Sequence, residues 1–331
     1  HLISTPKRIF DEAAVSAALK DVLDGLTDPA EIQAAAVAVL QDAQKNGRAE
    51  IARAFAASPF NARPMTSAYC YLTDQLVRTT LQIAGQRLHP IETLGPNDRL
   101  AVIGVGGYGR GEMAPYSDVD LLFLIPQTPS QRTENLIESM LYMLWDLKLK
   151  VGHSTRTIRD CVTLGREDFT IQTALLEHRF IAADVALAQD LDETLKTDLF
   201  AGTGRSFIEA KLEERDARHR KQGLRYVVEP NVKEAKGGLR DLQSLFWIAQ
   251  HIYSVEHAAD LVDRGVFLEE EFKTFVAAEN FLWAVRGHLH LISGRATEQL
   301  TFDMQVAVAE AMGYRDTRGR RGVEVFMQAY F

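Results

Sequence analysis

Hydrophobic residues recur at helical spacing in the first third of the chain, from Ile9 to about Leu88, where alanine and leucine are frequent. Asp28 and Pro29 place a capping residue before a proline, which is typical of the start of a helix. The pattern therefore predicts a helical N-terminal region over residues 1–90.

The pattern changes after Pro90, Gly95 and Pro96. Short apolar runs at 99–104 and 118–125 are typical of buried strands. Residues 130–149 have the periodicity of an amphipathic helix, and residues 150–157 alternate as a third strand does. This order of strand, glycine-rich turn, strand, helix and strand predicts a small mixed sheet within residues 91–184.

Strand signals disappear after about Asp184, and the later hydrophobic positions follow helical spacing. Helices are predicted at 186–199, 207–222, 239–253, 268–291 and 297–312. Residues 229–238 contain proline, asparagine, lysines and glycines, which predict an exposed loop leading into a helix. We therefore expect an α+β protein that is mostly helical overall, with a third, helical domain over residues 185–331.

Composition narrows the class of protein. The 331 residues are 46% hydrophobic and 25% charged, which is ordinary for globular domains and excludes collagen-like and disordered chains. The net charge of −8 disfavours a dedicated nucleic-acid-binding protein. Two cysteines, Cys70 and Cys161, are too few for a disulfide framework. No apolar run approaches the roughly 20 residues that cross a bilayer, so we expect a cytoplasmic protein that binds neither nucleic acid nor membrane.

The most informative segment is the glycine-rich stretch 104–111, because glycines let backbone N–H groups approach a phosphate closely. Its spacing satisfies G-x-G-x-x-G, yet a Rossmann dinucleotide site needs a complete crossover helix before the next strand. Only six residues separate Gly111 from Asp118, so that fold is excluded. A Walker A loop is excluded too, because no Gly-Lys-Ser/Thr follows.

Two aspartates, Asp118 and Asp120, stand at the beginning of the second predicted strand. Residues i and i+2 of a strand lie on one face, about 6.5–7 Å apart, so both carboxylates face a common site while Val119 faces the core. Hard oxygen ligands without a nearby His or Cys suit Mg²⁺, and a pair of such ions would hold a triphosphate for in-line displacement. The glycine turn and the paired carboxylates together predict nucleotidyl transfer.

Several motifs occur together in this chain. The element Val105-Gly106-Gly107 is followed by Asp118-Val119-Asp120, and longer motifs are GGYGRGE at 106–112, PYSDVD at 115–120, WD at 145–146 with VGHS at 151–154, and EPNVKEAKGGLRDLQ at 229–243. In these motifs the chain resembles the N-terminal part of the bacterial PII uridylyltransferase/uridylyl-removing enzymes, a family of the DNA polymerase β-like nucleotidyltransferase superfamily.

The resemblance implies a polymerase β-like nucleotidyltransferase domain flanked by helical regions, with residues 185–331 completing the nucleotide cleft. It implies Mg²⁺-dependent transfer of UMP from UTP to a tyrosine of the PII nitrogen-regulatory protein, with release of pyrophosphate. Asp118 and Asp120 would be the catalytic residues and the metal ligands, and Arg110 would neutralise phosphate charge. The residues expected to contact the nucleotide are Gly106, Gly107, Tyr108, Gly109, Arg110, Ser117, Ser154, Arg156, Lys233, Lys236 and Arg240.

Some of these roles have alternatives. Ser154 and Arg156 share a strand face opposite His153, so they either reach the nucleotide or have ordinary structural roles. The loop from Asn231 to Asp241, with the cations Lys233, Lys236 and Arg240, either closes over the nucleotide, contacts PII or is a solvated loop with a helix cap. His288 and His290 point about 200° apart on a helix, so we expect packing or surface roles rather than a metal site. The superfamily's third carboxylate is unassigned among the nearby residues Asp146, Glu167 and Asp168.

The same family removes UMP with an HD hydrolase domain and senses glutamine through ACT domains. No His-Asp dipeptide occurs in the chain, which begins at His1 without Met. We therefore expect a part of a longer protein, without the hydrolase and ACT domains and without the uridylyl-removing activity. Two other functions stay open, namely transfer of another nucleotide, such as AMP, to another protein, and a non-catalytic nucleotide-sensing or docking module.

Overall fold

The computed structural model describes residues 1–222, 228–253 and 259–331. The chain divides into two compact units. Unit 1 comprises His1–Arg53, Thr66–Met113 and Ser117–Leu199, and unit 2 comprises Ala54–Met65, Ala114–Tyr116 and Phe200–Phe331. The α+β class and the excess of helix are confirmed, whereas the three-domain division stays a prediction.

The first third of the chain is helical, as predicted. Its helices are α1 (Pro6–Ile9), α2 (Glu12–Leu23), α3 (Pro29–Ala57) and α4 (Ala62–Ile83), and a π-helical turn, Ala84–Leu88, follows. Asp28 is the predicted cap of α3, because its Oδ1 accepts hydrogen bonds from the N–H groups of Ala30 at 2.7 Å and Glu31 at 3.2 Å.

The centre of unit 1 is a four-stranded mixed sheet in the order β3-β2-β1-β4. After a short 3₁₀ turn, Pro96–Asp98, the elements are β1 (Ala101–Gly104), α5 (Gly106–Gly109), β2 (Val119–Leu124), α6 (Gln131–Asp146), β3 (Val151–Arg156), α7 (Ile158–Glu167), α8 (Phe169–Leu176), β4 (Arg179–Ala183) and α9 (Val185–Thr194), with a π turn at Leu195–Phe200. β1 pairs antiparallel with β2 and β4, whereas β2 and β3 are parallel.

The three predicted strands are confirmed, and β4 is an additional strand that the pattern did not indicate. Its five residues begin with arginine and end with two alanines, so hydrophobic patterning and strand propensity are both weak there. β4 forms because the edge of β1 offers it a ladder of backbone partners.

Burial differs sharply across the sheet. All four residues of β1 are buried, and β2 is buried except at Asp120. β3 is different, because no residue of this strand is fully buried and Gly152, His153 and Thr155 are exposed. The strands β1 and β2 are therefore the buried interior of the sheet, and β3 is a solvent-exposed edge.

Unit 2 is helical, with its core around the second half of α13. Its helices are α10 (Gly204–Gln222), α11 (Leu239–Tyr253), α12 (Asp260–Asp263), α13 (Glu269–Ser293), α14 (Phe302–Ala311) and α15 (Gly322–Tyr330). Every residue from 282 to 290 is buried, and the His288 ring stacks on Phe55 with centroids 4.3 Å apart. The predicted packing role of His288 and His290 is confirmed.

One predicted helix begins too early. Residues 297–301 are not helical, and α14 starts only at Phe302. Gln299 instead forms a β-bridge with Asn231, and the C=O of Glu298 accepts a hydrogen bond from the N–H of Val232 at 2.8 Å. These cross-links to the loop at 229–238 hold the segment extended, overriding its helical spacing. Among the described residues, no helix is both long and apolar enough to cross a membrane.

Candidate functional site

The glycine turn between β1 and β2 forms a short helix, α5. It opens at Gly106 with φ +59°, a left-handed conformation that favours glycine. The N–H of Val105 donates to the C=O of Asp120 at 3.0 Å, which fastens the start of the turn to β2. The first N–H groups of α5 have no carbonyl four residues earlier within the helix, as at every helix start. The geometry is compatible with the predicted approach of backbone to phosphate.

The two predicted catalytic carboxylates lie at the beginning of β2. Asp118 immediately precedes the strand and is exposed, whereas Asp120 is its second residue and is half-buried. Val119 between them is fully buried. This alternation places both aspartates on the side of the strand opposite Val119, as the strand period requires. Ser117, half-buried, directly precedes the pair.

The carboxylate of Asp120 fits between two glycines. A Cβ added to Gly106 would lie 3.3 Å from its Oδ2, and a Cβ added to Gly152 would lie only 2.5 Å from its Oδ1. Gly152 is the neighbour of Asp120 in the parallel ladder of β2 and β3. One carboxylate oxygen therefore faces the glycine turn and the other faces β3. Sequence reasoning missed Gly152 as a site residue, although the VGHS motif contains it.

Two other predicted residues lie on the same face of the sheet as Asp120. In the ladder of β2 and β3, Asp120 pairs with Gly152. Ser154 is two residues further along β3 and pairs with Leu122, and Arg156 is four residues further along and pairs with Leu124. Because laterally paired residues point to the same side, both side chains share the face of Asp120. Their contact with a nucleotide stays a prediction.

Tyr108 lies in the core rather than at the surface of the turn. Its side chain is 1% exposed, and its hydroxyl donates to Oδ1 of Asp74 at 2.7 Å. Burial raises the pKa of Tyr108 well above its usual value, and the neighbouring charge of Asp74 adds to this shift. Any contact of Tyr108 with a nucleotide would therefore come from its backbone.

Arg179 of β4 fastens the end of the turn. Its Nε donates to the C=O of Gly109 at 3.2 Å, and its Nη2 donates to the C=O of Tyr108 at 3.1 Å. The same guanidinium binds the carboxylate of Asp74 through two hydrogen bonds of 2.8 and 3.0 Å. Arg179 thus ties α4, α5 and β4 together. Nothing in the sequence pairs it with Asp74, which is 105 positions away.

Arg110 is engaged by two glutamates. Its Nε donates to Glu112 at 2.9 Å, and its Nη1 donates to Glu177. Burial lowers the pKa of Arg110, but the charges of Glu177 and Glu112 outweigh it and raise the pKa above its usual value. The positive charge is thus already balanced within the protein. That Arg110 neutralises phosphate charge stays a prediction, and its visible role is to hold the turn.

The carboxylates near the site do not supply an obvious third metal ligand. Asp146 accepts a hydrogen bond from Gln33 at 3.3 Å, Asp168 caps α8 through the N–H of Thr170 at 2.6 Å, and Glu167 is exposed. In the parts of the chain that the structure describes, no three His, Cys, Asp or Glu residues are grouped to hold a metal ion. The third carboxylate therefore stays unassigned.

The loop at 229–238 belongs to unit 2 and is well anchored. Oδ1 of Asn231 accepts hydrogen bonds from the N–H groups of Lys233 at 3.1 Å and Glu234 at 2.7 Å. Burial lowers the pKa of Lys233, and the nearby charge of Arg240 adds to this shift. The Arg240 guanidinium lies 5.3 Å from the centre of the Trp247 ring.

The three predicted cations of this region differ in exposure. Lys233 and Arg240 are half-buried, whereas Lys236 is exposed. The predicted exposed loop is therefore only partly exposed, and simple solvation describes Lys236 better than the other two. These cations belong to unit 2, and the aspartate pair belongs to unit 1.

An ion pair between buried Arg286 and half-buried Glu298 lies next to the anchored loop in unit 2. Arg286 donates to Glu298 through hydrogen bonds of 2.6 to 2.9 Å, and Nε2 of His290 lies 3.6 Å from the same carboxylate. Burial alone would raise the pKa of Glu298, but His290 and Arg286 lower it to about 2. The fixed carboxylate holds residue 298 beside the loop.

Two family models match different parts of the chain. A model described as GlnD PII-uridylyltransferase matches residues 206–331, and a model described as glutamate-ammonia ligase adenylyltransferase matches residues 1–144.

Individual proteins match nearly the whole chain, and those below are named bifunctional uridylyltransferase/uridylyl-removing enzyme. The protein of Ruegeria pomeroyi is 62% identical over 98% of this chain and 36% of its own length. The protein of Cereibacter sphaeroides is 56% identical over 100% of this chain and 36% of its own length. The protein of Rhodospirillum rubrum is 44% identical over 99% of this chain and 35% of its own length. The chain therefore spans about 36% of the length of the first two relatives.

The Arg179 contacts predict a measurable coupling. Arg179→Met should lower the free energy of unfolding by about 2 kcal/mol, because it leaves the carboxylate of Asp74 with fewer donors. Asp74→Asn should partly relieve that loss, so the double variant should be more stable than the sum of the single effects by about 1 kcal/mol. Arg159→Met, at an exposed arginine, is the control. Additive effects in chemical denaturation would contradict the coupling.

Proposed function

The chain belongs to the family of bifunctional uridylyltransferase/uridylyl-removing enzymes, and we propose that it carries the site that transfers UMP from UTP to a tyrosine of a PII protein. The tyrosine oxygen forms a bond to the α-phosphorus, the bond to the pyrophosphate breaks, and the hydroxyl proton is released. The observation that carries this proposal is the pair of Asp118 and Asp120 at the start of β2, with Asp120 between the glycine turn and β3.

Magnesium fits the residues of this site. Asp118 and Asp120 offer oxygen ligands, and Mg²⁺ is usually bound by one or two carboxylates together with substrate phosphates and water. A third protein carboxylate is therefore not required. We propose that these two aspartates hold the ion, which when bound would neutralise triphosphate charge and polarise the transferred phosphoryl group.

The remaining residues of unit 1 position the nucleotide. The backbone of Gly106 and Gly107 is proposed to meet the triphosphate, with Ser117 next to the aspartates. Arg179 and Arg110 hold this turn before any ligand arrives. A turn that is already fixed does not have to be ordered during the reaction, which is how positioning and preorganised dipoles accelerate phosphoryl transfer.

Polar and charged side chains outside the glycine turn are proposed to contact the substrates. Ser154 and Arg156 lie on the face of Asp120, where a nucleotide or an acceptor would be within their reach. Lys236 is exposed and can contact either the nucleotide or PII. Lys233 and Arg240 would contribute mainly by charge, because both are half-buried.

A second candidate function is transfer of AMP from ATP to a protein other than PII. The match of residues 1–144 to the glutamate-ammonia ligase adenylyltransferase model favours it, because those residues include the glycine turn and both aspartates. The phosphate and metal chemistry would be the same for both nucleotides.

The metal ligands provide the first test. In the full-length protein that contains this chain, Asp118→Asn and Asp120→Asn should each lower the transfer of labelled UMP to PII about a thousandfold, because each removes a charged ligand worth several kcal/mol. Asp21→Asn, at an exposed position of α2, makes the same change of charge away from the site. Transfer at the parental rate by either site variant would refute the proposal.

The choice of donor separates the two candidate functions. Purified protein is offered radiolabelled UTP or ATP, with PII or glutamate-ammonia ligase as acceptor. We expect label in PII from UTP alone. Label that enters glutamate-ammonia ligase from ATP, and not PII from UTP, would establish the second candidate instead.

Gly152 provides a test of geometry rather than charge. Gly152→Ala places a methyl group 2.5 Å from Oδ1 of Asp120, so the carboxylate must move. Transfer should fall about a hundredfold, as expected for a small misplacement of a reacting group. The free energy of unfolding should change by less than about 1 kcal/mol, because Gly152 is exposed.

The matched control is Gly85→Ala, whose added methyl group meets nothing closer than 3.7 Å. If Gly152→Ala and Gly85→Ala transfer UMP equally fast, the proposed position of the Asp120 carboxylate is wrong.

A further inference from the structure

The open edge of the sheet lies directly beside the aspartate pair. β3 is the outermost strand, and its only partner strand among the described residues is β2. Edge strands expose N–H and C=O groups that can pair with another chain, and proteins usually cover or distort them. Here Gly152, His153 and Thr155 are all exposed.

The hydrogen-bond register identifies the groups that point outward. The C=O groups of Lys150 and Arg156 accept from β2, so every second residue from 150 to 156 is directed towards β2. The backbone groups of Val151, His153 and Thr155 are therefore directed away from it. Within residues 1–222, 228–253 and 259–331, no backbone group pairs with these three.

No side chain of residue 152 stands between this edge and Asp120. Oδ1 of Asp120 leans over Gly152, which has no side chain to cover that face. Neighbouring strands lie about 4.7–4.9 Å apart, so a strand added beside β3 would lie at twice that distance from β2. On the added strand, a long side chain at the position opposite Gly152 would extend over the glycine towards the carboxylate of Asp120.

Cations predominate along the edge strand. Residues 147–159 contain Lys148, Lys150, Arg156 and Arg159 and no Asp or Glu, with Asp146 and Asp160 at the two ends of this segment. The Asp160 carboxylate accepts hydrogen bonds from the N–H group and the hydroxyl of Thr157. Trp145 lies next to the edge, 41% exposed, and its ring is 6.0 Å from that of His153 in an edge-to-face arrangement. An acidic segment would be attracted to this edge, and an apolar side chain would pack against the indole.

We propose that the outer edge of β3 docks the acceptor protein. An extended acidic segment of the acceptor pairs with the outward groups of Val151, His153 and Thr155, and it carries its hydroxyl side chain across Gly152 towards Asp120. Backbone pairing supplies affinity in such strand additions, and the flanking charges supply specificity. This inference rests on the proposed function, because it requires a protein acceptor.

Kinetics of the full-length protein test the backbone pairing. His153→Pro removes an outward N–H group, a change that edge strands tolerate because their inner ladder does not use it. The KM for the acceptor protein should rise about tenfold, as expected for a lost backbone hydrogen bond and the ring that replaces it. The KM for UTP should not change. His153→Ala keeps the N–H group and is the control for the side chain.

A charge variant tests the same edge without proline. Lys148→Glu combined with Lys150→Glu should raise the KM for the acceptor several-fold, and the effect should shrink as salt is added. Lys20→Glu combined with Lys45→Glu reverses two exposed lysines elsewhere in unit 1 and should leave that KM unchanged.

Amide hydrogen exchange gives a direct readout. Addition of the acceptor should slow exchange at His153 and Thr155, whereas Gly152 and Ser154 should change little because they already bond to β2. If transfer to the acceptor proceeds but neither exchange nor acceptor KM responds, the docking edge is refuted and the proposed function stands. Slow exchange at His153 and Thr155 before the acceptor is added would also refute it, because another part of the protein would then cover the edge.

Discussion

The site depends on a steric constraint around one carboxylate. Asp120 faces the glycine turn on one side and β3 on the other, where an added Cβ would be tight at Gly106, 3.3 Å from Oδ2, and would clash at Gly152, 2.5 Å from Oδ1. The register of β2 and β3 places Gly152 beside the carboxylate of Asp120. On the other side of the carboxylate, the left-handed conformation of Gly106 starts the glycine turn. The half-buried carboxylate thus faces the glycine turn and β3, and we propose that the phosphate donor approaches from the first side and the acceptor from the second.

The glycine turn that faces this carboxylate is held in place by the ion pairs of two arginines, Arg179 outside the turn and Arg110 within it. Arg179 binds its carbonyl groups and the carboxylate of Asp74, while Arg110 spans Glu112 and Glu177. Glycine-rich backbone alone would lose much conformational entropy on becoming ordered. The charged network offsets this cost in the folded state, so a flexible sequence presents fixed N–H groups.

Local signals in the sequence predicted what depends on local order. Helical spacing, the cap at Asp28 and the alternation around Val119 predicted most of the helices, three strands and the common side of the two aspartates. The helices α7, α8, α12 and α15 were not predicted. The other missed features depend on distant partners. β4 needs the edge of β1, residues 297–301 are held extended by the loop at 229–238, and Arg179 meets Asp74 only in the folded chain. Patterning does not encode such pairings.

The proposed function requires that Asp118 and Asp120 together hold a divalent cation that carries a triphosphate. A crystal structure of the full-length protein with Mg²⁺ and a non-hydrolysable UTP analogue tests it most directly. We expect a metal ion about 2.0–2.1 Å from an oxygen of each aspartate, with the phosphates against the backbone of Gly106 and Gly107. A triphosphate bound away from the glycine turn, or a metal ion that neither aspartate contacts, would contradict it.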